Sequence, residues 1–164
     1  MNAQEIKAVK AYLYSIKRTE IAIINLTRAL EDLDTRMESP PTWMSNPDAV
    51  AVCGGAEESK QETWVMFQEA YPERRQFLHD KLHDHRRKVE EYERTLAAMV
   101  GEGHWGALAA EIVRYKYNMR VAPDSAIYRF HLFCTEETFY RTHRRALQFF
   151  FEAVPQRFSK LTVS

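Results

Sequence analysis

The sequence predicts an all-α chain: a long N-terminal helical hairpin or coiled-coil part, then a C-terminal three-helix unit. Three observations carry that expectation. Apolar residues recur at three- and four-residue steps over two long stretches, the spacing of one helix face. The 164 residues include only 5 Gly and 6 Pro, and the prolines cluster outside the periodic segments. Gly101, Gly103 and the Val121-Ala122-Pro123 run then divide the last third into three short patterns. The implied division is residues 1–100, with a loop at 38–60, and residues 101–164.

The first element runs from Ala3 to Met37, where Ile6, Val9, Leu13 and Ile16 begin a stripe continued by Ile23, Leu30 and Leu33. Written as heptads, Val9, Ile16, Ile23, Leu30 and Met37 share one position, but the companion position turns polar at Glu20, Thr27 and Asp34. A two-stranded seam would not hold those three, so a helix packing on several partners is expected. Glu38 to Ser59 reads as a linker, broken by Pro40-Pro41, Asn46-Pro47 and Gly54-Gly55. Trp43, Val50 and Val52 are expected to pin it onto the helices, the alternative being a segment that orders on meeting a partner. A second long helix is expected from about Gln61 to Val100, with a kink or restart at Tyr71-Pro72. Beyond it Leu78, Leu82, His85, Val89, Tyr92, Leu96 and Met99 keep heptad spacing. That seam could pair with the first helix, with a second copy of itself, or with both.

A shorter pattern starts near His104 and ends near Asn118, followed by a turn. Asp124 or Ser125 caps a helix to about Phe133, and Thr135 caps the last, which ends before Pro155. The tail beyond is expected to fray unless Phe158 and Leu161 dock.

Composition bounds the function. Hydrophobic residues make up 45% and charged ones 28%, ordinary for a folded protein. The formal net charge is zero, which removes any bulk polycation argument for nucleic acid. The zero is uneven: nine Lys or Arg against six Asp or Glu from Gly101 onward, and 14 against 17 before it. Cys53 and Cys134 are too isolated for a zinc knuckle or a disulfide framework, so a reducing, cytoplasmic setting is expected. No apolar run is long enough to span a bilayer, and the N-terminus lacks a signal-peptide core.

The chemistry-bearing stretch is residues 124–151. A short helix followed by a Thr-capped helix with an Arg-rich flank is what a helix-turn-helix reader of duplex DNA requires. Thr135, Glu136, Glu137, Thr138, Tyr140 and Arg141 would lie near bases, with Arg141, Arg144 and Arg145 sharing base and phosphate contacts and His143 nearby. Phe139, Ala146, Phe149 and Phe150 would pack inward. The plainer alternative is a packed helical hairpin with solvated arginines. His79 and His83, four apart, have the spacing of a shared metal ion, but no HExxH and no third ligand accompany them, so a solvated face is favoured. His85 falls on the apolar seam, where it would set register or respond to acid. Cys134 near His131 and His143 is read as a small core residue rather than a thiol–imidazole pair. No nucleotide-binding or hydrolase motif is present, so neither an enzyme nor a cofactor is expected.

Leu132, Thr135, Glu136, Glu137, Thr138, Phe139, Tyr140, Arg141, Arg144, Arg145, Ala146 and Leu147 carry a resemblance. The segment resembles the region-4-like helix-turn-helix of phage late-gene transcriptional regulators of the RinA/ArpU type, and Glu111–Asn118 is similar to the helix that precedes the motif there. The resemblance implies a bacterial host cell, a homodimer on double-stranded DNA and, for an activator, a second surface for RNA polymerase. The chain departs from the family at two positions. Phe133 stands where a turn Gly is usual, and escapes a positive backbone angle only if the turn is longer; Arg129 stands for a small Ala, and either splays the helices or points outward. Two rivals remain: a small-terminase-like packaging component that assembles into rings, and a helical protein–protein adaptor with no DNA contact.

Overall fold

The structure is a computed structural model describing residues 1–42 and 56–158, with the side chains of 56–59 left aside. Trp43, Val50, Val52, Cys53 and Leu161, and so most of the expected linker, lie outside the described residues. All regular structure among the described residues is helical. Helix α1 is Ala3–Glu38 and α2 is Ala56–Gly101; α3, His104–Val113, continues as a π-helical turn over Arg114–Asn118. Helix α4, Asp124–Ala126, likewise continues as a π turn over Ile127–His131, and α5 is Glu136–Ala153. A 3-10 turn, Pro155–Arg157, follows.

The interruption expected at Tyr71-Pro72 does not occur, since α2 contains Pro72 in its interior. Proline removes one amide donor and leaves the carbonyl four residues earlier unmatched. Gln68 and Pro72 are both exposed, so water can take that carbonyl.

The expected boundary at residue 100 is not where contacts divide. One compact unit joins residues 1–21 with 86–164, and the other is residues 22–85. In the first, the expected stripe of α1 (Val9, Leu13, Ile16) meets Tyr92, Leu96 and Met99 of α2 in one buried cluster. Ala109, Ala110 and Val113 of α3 and Ala146, Leu147 and Phe150 of α5 complete it. Phe158 is buried there too, so the tail docks as far as that residue. Small residues on α3 let α5 approach closely, and aromatic side chains fill the remainder. Tyr92 lies between, its ring stacked on Phe150 at 5.8 Å and its hydroxyl donating to Asn118 Oδ1 at 3.0 Å.

Two glycines join α2 to α3. Gly103 has φ 89 and ψ −154, a region open essentially to glycine alone. Gly106 lies against the last turn of α2, where a Cβ would meet the carbonyl oxygen of Met99 at 1.8 Å.

In the unit of residues 22–85, Leu33, Trp64 and Phe67 are buried, with Met37, Tyr71 and Leu78 packed around them. Asp34, out of place on an apolar seam, accepts hydrogen bonds from the Tyr71 hydroxyl at 2.8 Å and from Arg75 Nε at 3.0 Å. Those bonds hold its carboxyl below the usual range, the guanidinium contributing most. Thr27, also on that seam, returns its hydroxyl to the Ile23 carbonyl at 2.8 Å. His85 is half-buried, and His79 and His83 are exposed.

Candidate nucleic-acid interface

The approach to α5 is built by two helix ends that close the same way. After the first π turn the Met119 amide donates to the Arg114 carbonyl and the Val121 amide to the Tyr115 carbonyl, both at 2.9 Å. After the second, the Leu132 amide donates to the Ile127 carbonyl at 2.9 Å and the Cys134 amide to the Tyr128 carbonyl at 3.0 Å. Each closure places one residue in the left-handed region: Arg120 at φ 55 and Phe133 at φ 50. Phe133 therefore does not escape the positive angle. The six-residue closures satisfy the last carbonyls, as left-handed caps do, with a side chain where glycine is customary. Phe133 is 84% exposed and little would be lost with its ring. Phe133→Gly should hold or raise stability, by up to about 1 kcal/mol, measurable as a change in urea midpoint. Arg129 takes the outward alternative: it is exposed, its guanidinium 5.8 Å from the Tyr128 ring centre.

Thr135 caps α5 as its sequence position predicts. Its Oγ1 accepts from the Thr138 amide at 3.2 Å and donates to Thr138 Oγ1 at 2.8 Å. Both hydroxyls thus serve the start of the helix, and Glu136 and Glu137 in the first turn suit its positive end. Thr135→Ala should lower stability by about 1 kcal/mol, checked by equilibrium unfolding; a neutral result would mean the cap is idle.

The remaining expected contacts separate by face. Glu136, Glu137, Tyr140, Arg141 and Arg144 are exposed, and Thr138 is half-buried. Arg141 and Arg144 have no hydrogen-bond or ion-pair partner among the described residues. Arg145 differs, its guanidinium lying 3.8 Å from the Trp105 ring centre. Phe139, Ala146 and Phe150 are buried as expected, while Phe149 is half-buried with its edge toward Trp105 at 6.2 Å.

His143 is not on the exposed face. It is buried, shares a 2.8 Å hydrogen bond with the Tyr117 hydroxyl through Nε2, and lies between the rings of Tyr117 and Phe139. Loss of water pushes its pKa down to about 4; Lys116 and Lys10 add repulsion and Asp124 opposes them. At neutral pH it is uncharged and holds no phosphate. Cys134 is half-buried beside the cluster of Ile112, Ile127, Tyr128 and Phe139, and burial pushes its thiol up. That environment disfavours the thiolate.

The structure adds one cation that the local motif does not reveal. A groove on α5, lined by Tyr140, Arg141, Arg144 and Leu147, is closed on its other side by Ile6 and Lys10 of α1. Lys10 lies about 130 residues away in sequence from these arginines, and nothing in its own neighbourhood marks it. Phe130 and Phe133, both exposed, flank the end of the second π turn.

No helix among the described residues is long and apolar enough to cross a membrane. The chain matches no protein-family model, no curated protein and no solved structure.

Proposed function

We propose that the chain binds duplex DNA through the exposed face of α5, with residues 124–151 acting as a helix-turn-helix in a transcriptional regulator of the late-gene phage type. One observation carries the reading. Arg141 and Arg144 sit one turn apart on a capped helix, exposed and without a partner among the described residues, and Lys10 lines the same groove. Arginine offers a planar fork to guanine or to phosphate, and a glutamate can accept from the cytosine amino group. Glu136, Glu137 and Tyr140 would stand at base edges, Arg141 would share base and phosphate contacts, and Arg144 and Lys10 would lie on phosphates. Arg145 would act through Trp105, and Thr135 and Thr138 through the cap. On this reading the regulator is a homodimer, and a ring of many subunits in solution would favour a packaging component instead.

The test is a titration of the full chain against random duplex at about 50 mM and about 200 mM salt. Three phosphate contacts per chain should weaken binding on the order of 40-fold over that range. The exposed rings of Phe130 and Phe133 favour the second reading, a protein–protein adaptor. It predicts no affinity for random duplex even at low salt.

A further inference from the structure

A cleft distinct from the α5 groove opens between α1 and residues 116–124. Tyr14, Ser15 and Arg18 form one wall, and Lys116, Arg120 and Asp124 line the other. Three of these six are cations and one is an acid. Asp124 is paired with Lys116, whose side chain is only 15% exposed, so this ammonium is built into the wall. Arg18 has no partner among the described residues. Arg120 makes a single long contact, 3.5 Å to the Tyr14 carbonyl. The Ser15 hydroxyl is occupied, donating to the Tyr12 carbonyl and accepting from Lys88 Nζ, both at 2.6 Å. Two guanidinium groups therefore remain uncompensated.

The backbone favours the same conclusion. Arg120 is held in the left-handed region by the closure of the first π turn. Non-glycine residues held there cluster at ligand clamps and other functional positions. Ala11, Val121, Ala122 and Pro123 supply an apolar lining beside the cations.

We propose that this cleft binds a small phosphorylated molecule. Its phosphate sits between Arg18 and Arg120 with the Lys116 ammonium behind, and its organic part lies against Val121 and Pro123. A phosphate dianion matches two uncompensated guanidinium forks, which a single carboxylate would leave half-used. A nucleic-acid backbone offers the same phosphate chemistry, and the test separates the two sources.

Inorganic pyrophosphate is titrated calorimetrically into the full chain at constant ionic strength, beside Arg18→Gln and Arg18→Gln/Arg120→Gln. Each variant is also titrated with random duplex, and its fold is checked by circular dichroism. Saturable binding by the wild type should weaken about tenfold in Arg18→Gln and vanish in the double variant, with duplex titrations unchanged. Arg18 is exposed on a helix, so its replacement leaves the fold intact. Absent wild-type binding, or equal binding by all three proteins, would overturn the proposal. So would variants that lose duplex affinity but keep pyrophosphate, which would assign the cleft to the nucleic acid.

Discussion

Gly106→Ala is expected to lower stability by at least about 3 kcal/mol, the upper end of ordinary overpacking. An alanine in a helix interior normally gains about 1 kcal/mol over glycine. Here its Cβ would lie 1.8 Å from the Met99 carbonyl oxygen and 2.9 Å from the carbonyl carbon. Those are backbone atoms at the end of α2, so no rotamer change relieves the overlap. α3 must move off α2, and the cluster that Ala109, Ala110 and Val113 share with α5 opens with it. A fall in Tm of more than about 10 °C is expected for a unit of this size, read by thermal denaturation. An unchanged or raised Tm would mean that α3 does not pack on α2 as described.

Acidification should act chiefly through His143. Its folded pKa of about 4 lies below the ordinary 6.5, so the unfolded chain takes up the proton first. Stability from this group is therefore complete above about pH 6.5, falls as pH drops below that, and is lost by about pH 4. Over that window the loss is about 3 kcal/mol. Carboxylates titrate over the same range, so the comparison is with His143→Gln, which keeps a hydrogen-bonding group for Tyr117 but does not ionise. Urea unfolding at several pH values should show the wild type losing about 3 kcal/mol more than the variant. Parallel curves would mean that the imidazole is solvated in the folded state. Because His143 anchors α5 to Tyr117, the same protonation should loosen the proposed DNA face below pH 5.

What the sequence makes legible is local. The three- and four-residue steps of α1, the heptad of α2 and the Thr135 cap depend on neighbours within one or two turns, and all appear where the pattern places them. The departures have non-local causes. Pro72 is tolerated because its side of α2 faces water. Phe133 and Arg120 occupy glycine-like angles because each π turn supplies a closing hydrogen bond, which no residue type signals. His143 reads as a surface cation beside three arginines until Tyr117, 26 residues earlier, takes its Nε2. The boundary between units falls inside α1 and α2, since a continuous helix can serve two cores without a break in its pattern. Of the proposed site, the α5 residues are legible from spacing and resemblance, whereas Lys10 and the stacking of Arg145 on Trp105 require the fold.

DNA binding by α5 rests on Arg141 and Arg144, exposed and without a partner among the described residues. Its most direct test measures duplex affinity across a salt series for three proteins: wild type, Arg141→Ala/Arg144→Ala, and a control, Arg74→Ala/Arg87→Ala, which removes two exposed α2 arginines. The logarithmic salt slope should fall by about two for the α5 variant and stay unchanged for the control. Equal slopes for the two variants, or a wild type that does not bind duplex at low salt, would contradict it.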